Sequence, residues 1–143
     1  VANGEWNYLQ KDNSKNKGTN WSGAVEQMSV SVAMQQNRMS NTGSATGRNH
    51  GITFYNQWQN AFATRPKIIT LTWWNEWGAE RLDPSTNVAC GTYCFTDNYN
   101  QEYSRDIEPQ KGGLGSTYYD WTTQYIRAYK NHQSVPRLVE SGY

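Results

Sequence analysis

Carboxylates and indoles are concentrated in residues 70–84, which read TLTWWNEWGAERLDP. Glu76 stands between Asn75 and Trp77 just after an apolar run, and Glu80 follows four residues later. A carboxylate walled by indoles is desolvated, which raises its pKa and suits it to general acid or base catalysis. Indole faces also stack on the C–H faces of sugar rings, while carboxylates and amides hydrogen-bond hydroxyls. The stretch therefore predicts a sugar-binding cleft that contains a catalytic carboxylate.

A second polar stretch, SRDIEP at residues 104–109, offers further carboxylates. Asp106 and Glu108 are candidates for the second carboxylate of a glycoside hydrolysis, in which the separation of the two groups distinguishes retention from inversion. Arg105, beside Asp106, is interpreted as half of a loop-fixing ion pair rather than as a substrate clamp.

The candidate sugar platform has two parts. Near Glu76 it comprises Trp74, Asn75 and Trp77, and from the GRNHG stretch it takes Asn49 and His50. His50 precedes a predicted helix, so its ring could bind a sugar hydroxyl or be satisfied locally. A structural interpretation of the first stretch is also open, in which Trp73 and Trp74 belong to the core and Glu76 caps a turn.

Composition narrows the class of protein. The 143 residues carry a formal charge of +1, which argues against a nucleic-acid or membrane-surface partner. No apolar run approaches the roughly 18 residues of a membrane span. Cys90 and Cys94 lack a second Cys/His pair for a metal site, so we predict no metal or other cofactor. A loop disulfide is favoured over two free thiols, and it indicates a secreted, extracellular protein.

The elements that must position these residues alternate between strands and helices. Residues 27–34 are β-branched and alternating, as in a strand, whereas Phe54, Trp58 and Phe62 form a helical stripe within 52–64. Residues 67–74 are almost continuously apolar, which predicts a strand buried on both faces. After a long loop, 75–115, Thr117 and Asp120 have the spacing of a capping box, and a final helix carries a stripe of Tyr118, Trp121, Tyr125 and Tyr129.

Strands that alternate with helices predict an α/β fold with a parallel sheet, in which ligands bind at the carboxyl ends of the strands. Both long loops of this chain follow strands. Because a closed barrel takes eight such units and typically about 250 residues, we predict that residues 1–143 are the last βα units, the C-terminal portion of a (β/α)8 TIM-type barrel. The alternative is a small free-standing α/β or α+β domain.

Three stretches carry a family resemblance: ITLTWWNEWGAERLDP, FTDNYNQEYSRDIEPQKGG and YYDWTTQYIRAYK. They resemble the end of the barrel in endo-acting glycoside hydrolases of families 99 and 71, in WbsX-like proteins, and above all in uncharacterised secreted relatives of that group. The shared signature is Asn-Glu-Trp, here at 75–77, followed by Ile-Glu-Pro, here at 107–109.

The resemblance implies hydrolysis of α-linked mannose or glucose polymers. In family 99 the first glutamate, matched by Glu76, is a base that helps the 2-hydroxyl of the substrate to attack through an anhydro-sugar intermediate. The acid is a glutamate three residues later, where this chain has Ala79, with Glu80 one residue beyond. A carbohydrate is thus the expected partner, with the remainder of a barrel or a second copy of the chain. The alternatives are a non-catalytic carbohydrate-binding module and an inactive barrel fragment.

Overall fold

The computed structural model describes residues 19–21, 23–34, 46–75, 81–82, 94–95 and 100–143. A single 3-10 turn at Asn49–Gly51 precedes the first helix. The elements in chain order are β1 (Thr19–Trp21), β2 (Ala24–Ser31), α1 (Ile52–Thr64), β3 (Ile68–Thr72), β4 (Arg81–Leu82), β5 (Cys94–Phe95) and α2 (Thr117–Lys130).

The main sheet has the strand order β1-β2-β3, with β2 parallel to β3 and β1 antiparallel to β2. Helix α1 connects the two parallel strands, so β2, α1 and β3 form the predicted βαβ unit and the chain is a small α/β fold. Strand β1 is antiparallel to β2, so the sheet is mixed rather than purely parallel. Strands β4 and β5 form a separate antiparallel pair inside the predicted 75–115 loop.

The two faces of the β2–β3 pair differ in polarity. Side chains alternate along each strand, and the register pairs Met28 with Ile69 and Val30 with Leu71, all of which pack in or against the apolar core. Apart from Ile68, which pairs with Gln27, the opposite face carries hydroxyls and one amide: Gln27, Ser29, Ser31, Thr70 and Thr72. The Ser29 and Thr70 hydroxyls lie 3.2 Å apart. One face of the sheet therefore belongs to the core, and the other is lined by hydrogen-bonding groups.

The core is largely aromatic, as the two predicted stripes require. Trp58 of α1 stacks on Tyr125 of α2 with ring centroids 5.0 Å apart, and Phe54 meets Tyr125 edge-on at 5.4 Å. Phe62 and Tyr129 make a further edge-to-face contact at 5.3 Å. These rings supply the apolar area that the few aliphatic residues cannot.

The prediction that the third strand is buried on both faces is wrong. Ile68 is 51% exposed, and its next three neighbours are only half-buried. Within the described residues β3 pairs with β2 alone, and α2 covers its core side incompletely. A groove of about 340 Å³ remains there, lined by Trp58, Lys67, Ile69, Leu71, Ile126, Tyr129 and Lys130.

Helix α2 begins one residue earlier than the predicted capping box requires. Ser116, not Thr117, is the N-cap residue, and its hydroxyl donates to Asp120 Oδ2 at 2.6 Å. No helix in the part of the chain that the structure describes is long and apolar enough to cross a membrane.

Burial of tyrosine hydroxyls predicts alkaline instability. Desolvation raises the pKa of Tyr118 from 10.0 to about 12, and burial also raises the pKa of Tyr125. Because the folded-state pKa exceeds the unfolded one, the contribution of these protonated hydroxyls to the free energy of unfolding is complete below pH 10. It is lost as the pH rises towards 12. Chemical denaturation at pH 8 and pH 11 should show a fall in the free energy of unfolding.

The matched control is Tyr118→Phe, which removes one of the titrating hydroxyls. Its loss of stability between pH 8 and pH 11 should be smaller than that of the wild type by about 1 kcal/mol. An equal loss in both proteins contradicts a role for Tyr118 ionisation.

Candidate functional site

The SRDIEP stretch lies directly beside the end of β3. The Trp73 N–H donates to the Arg105 carbonyl at 3.1 Å, and the Ile107 N–H returns a bond to the Trp73 carbonyl at 3.1 Å. The Glu108 N–H donates to the Trp74 carbonyl at 3.0 Å. The peptide bond between Thr72 and Trp73 is cis. Two motifs that are distant in sequence are thus joined along their backbones at the carboxyl end of β3.

The closest side-chain contact of the site joins Asn75 to Glu108. Asn75 Nδ2 donates to Glu108 Oε2 at 2.6 Å, although the two residues are 33 positions apart. Asn75 is exposed and Glu108 is half-buried. An amide and a carboxylate therefore share one hydrogen bond at a surface that a ligand can reach, and the amide fixes the direction of the carboxylate.

Trp74 and Tyr119 form an exposed pair of rings beside this hydrogen bond, which we call the aromatic corner. Trp74 is 51% exposed and Tyr119 is 40% exposed. Their ring centroids are 6.0 Å apart and their planes meet at 81°. The alternative in which Trp74 is a core residue is therefore wrong. Trp73 is half-buried, with the Arg105 guanidinium 5.3 Å from its ring centre.

Sequence reasoning missed Tyr119. The stripe of α2 assigned its neighbour Tyr118 to the core, correctly, and a residue next to a buried position on a helix points elsewhere. The signal in the sequence was Tyr119 itself, a large aromatic side chain that lies outside the buried stripe of α2.

Asp106 and Glu108 lie in different environments. Asp106 is only 2% exposed, and its carbonyl oxygen accepts a bond from the buried Arg48. A carboxylate at that depth does not reach a ligand at the surface. Glu108 is thus the better placed of the two, while the catalytic role predicted for Asp106 stays a prediction.

A second loop, residues 46–51, is hydrogen-bonded to Glu102, two residues before the SRDIEP stretch. The Arg48 N–H donates to the Glu102 carbonyl at 2.7 Å, and the Asn49 N–H donates to Glu102 Oε1 at 2.8 Å. A methyl group on Gly47 would collide with that carboxylate, so glycine permits its close approach. Asn49, a predicted sugar ligand, contributes its backbone here and is exposed.

His50 faces the C-terminal segment instead of the aromatic corner. Its Nδ1 lies 2.9 Å from Glu140 Oε2, and its ring stacks on Tyr143 with centroids 3.6 Å apart. The His50 carbonyl also accepts the Glu140 N–H at 2.9 Å. These contacts favour the local interpretation of His50.

Several predicted residues fall outside the described part of the chain. They are Glu76, Trp77 and Glu80 of the first stretch, and Cys90 of the predicted disulfide. Their roles stay predictions. The described residues contain no group of three or more His, Cys, Asp or Glu side chains that could bind a metal ion.

The arrangement offers a carboxylate, an amide and two exposed rings at one edge of a sheet. Carboxylate and amide oxygens accept hydrogen bonds from hydroxyls, the amide donates as well, and exposed rings cover apolar faces. Such a set suits a ligand with many hydroxyls and C–H faces. Comparison of the whole chain with known proteins finds no matching family model, no matching curated protein and no matching solved structure.

Proposed function

We propose that the chain is a glycoside-hydrolase-like domain that binds and hydrolyses α-linked polysaccharide of the mannan or glucan type, as a secreted protein. The observation that carries this proposal is the Asn75–Glu108 hydrogen bond beside the exposed rings of Trp74 and Tyr119. Sugar recognition requires directed polar groups next to an apolar platform, because a sugar ring presents hydroxyls at its edge and C–H groups on its faces.

The fold proposed to hold this site is the C-terminal portion of a (β/α)8 barrel. Supporting it are the parallel β2–β3 pair, the crossover helix α1 and the site at the carboxyl end of β3, where barrel enzymes carry their catalytic residues. Among the residues that the structure describes, β3 pairs with β2 alone, an arrangement that is compatible with a sheet that continues beyond β3. The partner there would be the remainder of the barrel or a second copy of the chain.

The proposed chemistry uses Glu76 as the base, the role that its match to the glutamate of Asn-Glu-Trp in family 99 implies. Glu76 would remove the proton of the substrate's 2-hydroxyl as that oxygen attacks the anomeric carbon. A second carboxyl group would protonate the departing glycosidic oxygen, and water would then open the anhydro-sugar. Two residues are alternatives for this acid. Glu80 is the one that the resemblance implies, and Glu108 is the one whose carboxylate accepts a hydrogen bond from Asn75.

A non-catalytic carbohydrate-binding module is the second candidate. The aromatic corner favours it, because two exposed rings with an amide suffice to bind a sugar and require no acid. Ala79, at the position of the family's acid, points the same way.

The decisive variant is Glu76→Gln, which keeps the shape of the side chain and removes its basicity. Reducing-sugar release from α-mannan and α-glucan should fall by about 10²–10⁴-fold, while the dissociation constant for the same polymers changes little. The matched control is Glu26→Gln on β2.

Equal turnover in wild type and Glu76→Gln contradicts the role of Glu76. Binding without any sugar release in the wild type selects the binding module. A wild type that neither binds these polymers nor releases sugar from them overturns the proposed function altogether.

A further inference from the structure

Arg48 is a buried cation whose side chain donates to two carbonyls of the stretch that carries Glu108. It is 2% exposed, and arginine is rarely buried unless its N–H groups are satisfied. Its Nε donates to the Ser104 carbonyl at 2.9 Å, and its Nη2 donates to the Asp106 carbonyl at 2.9 Å. The planar guanidinium fork suits this task, because it holds two acceptors in fixed relative positions.

These two carbonyls belong to the stretch that carries Glu108. Residues 104–108 are hydrogen-bonded both by the Arg48 side chain and by the backbone of Trp73 and Trp74. Glu108 lies two residues beyond the Asp106 carbonyl. The place of its carboxylate relative to Asn75 is therefore set jointly by Arg48 and by the end of β3.

Arg48 also contacts the helix that carries the second ring of the aromatic corner. Its guanidinium carbon lies 4.4 Å from the ring centre of Tyr118, the residue that precedes Tyr119. A cation over an aromatic face is attracted by the ring's quadrupole. Arg48 thus joins three parts of the fold: the start of α1, the 104–108 stretch and the first turn of α2.

We propose that Arg48 is the positioning residue of the candidate site, which sets Glu108 against Asn75 and Tyr119 against Trp74 without touching the ligand. Its effect on sugar affinity rests on the proposed function. Its effect on the Asn75–Glu108 hydrogen bond does not, so the two are measured separately.

The test compares Arg48→Lys with Arg65→Lys. A lysine ammonium lacks the planar fork, so it cannot keep both carbonyls in the same geometry. Arg65 is a matched control because its Nη1 also donates to a carbonyl, that of Tyr129 at 2.9 Å, and its guanidinium lies over the Tyr129 ring. It caps the other end of α1, away from the site.

The first readout is the NMR signal of the Asn75 side-chain amide, with hydrogen exchange at the Glu108 amide, both without ligand. In Arg48→Lys the Asn75 signal should move towards that of a solvated asparagine and Glu108 should exchange faster, whereas Arg65→Lys should match the wild type. Unchanged Asn75 and Glu108 signals in a folded Arg48→Lys overturn the proposal.

The second readout is affinity for α-mannan and α-glucan oligosaccharides, which a merely structural role would leave unchanged in a folded variant. Arg48→Lys should bind about tenfold to a hundredfold more weakly than wild type, as expected for misplaced binding groups. A displaced Asn75 signal with unaltered affinity overturns the positioning role. A wild type that binds no sugar rejects the proposed function, and the positioning of Glu108 is then judged on the first readout.

Native-state hydrogen exchange of the wild type provides the measurement if Arg48→Lys fails to fold. The amides of Arg48, Ile107 and Glu108 should open together, with protection factors within a few-fold of one another. Much faster exchange at Ile107 and Glu108 than at Arg48 overturns the proposal.

Discussion

Replacing Trp58 with alanine is expected to lower the free energy of unfolding by about 3–5 kcal/mol. Trp58 is 1% exposed and packs against Phe54, Phe62, Tyr125 and Tyr129, so its removal leaves a cavity among rings that cannot close up fully. Because a domain is stable by only about 5–15 kcal/mol, this change brings the chain close to unfolding. Urea denaturation followed by circular dichroism measures it.

The same substitution at Trp74 is the control for Trp58. Trp74 is half-exposed and touches the ring of Tyr119 at its edge, so Trp74→Ala should cost about 1 kcal/mol or less. Similar losses for the two tryptophans would contradict the assignment of one to the core and the other to a surface site.

Trp74→Ala should instead weaken the binding of α-linked oligosaccharides by about 2 kcal/mol, or roughly 30-fold. An exposed indole that stacks on a sugar supplies most of the apolar contact, and alanine removes it while the fold remains. Tyr119→Ala should weaken binding in the same direction, since its ring forms the other wall of the aromatic corner. Isothermal titration calorimetry with the folded variants gives the affinities.

Tyr143→Ala is the matched control for the aromatic corner. Tyr143 is 55% exposed, but it stacks on His50 at the C-terminal segment. Its removal should leave sugar affinity unchanged. A loss at Tyr143→Ala equal to that at Trp74→Ala would move the binding site to His50 and its surroundings.

The helices and their buried faces were predictable because their signal is local. The recurrence of Phe54, Trp58 and Phe62 every fourth residue requires one apolar face, whatever packs against it. The strands were less predictable, since the burial of a strand depends on its neighbours. The apolar run of β3 indicated a strand buried on both faces, yet Ile68 is 51% exposed.

The candidate site was predictable in part. The Asn-Glu-Trp and Ile-Glu-Pro motifs were expected to belong to one site, and Asn75 and Glu108 do share a hydrogen bond. The role of Arg48 was not predictable, since its acceptors lie 56 and 58 positions away along the chain. The burial of Asp106 next to the half-buried Glu108 was likewise not predictable, since the Asp106 carbonyl is bound by the distant Arg48.

The most direct test of the central claim is an NMR titration of the ¹⁵N-labelled chain with α-mannan and α-glucan oligosaccharides. The expected result is a saturable shift of the Trp74 indole N–H and the Asn75 side-chain amide, accompanied by the backbone amides of Glu108 and Tyr119. The Trp58 indole, buried in the core, should not move. No shift at millimolar sugar, or shifts confined to the groove beside β3 or to His50 and Tyr143, would contradict a sugar site at the aromatic corner.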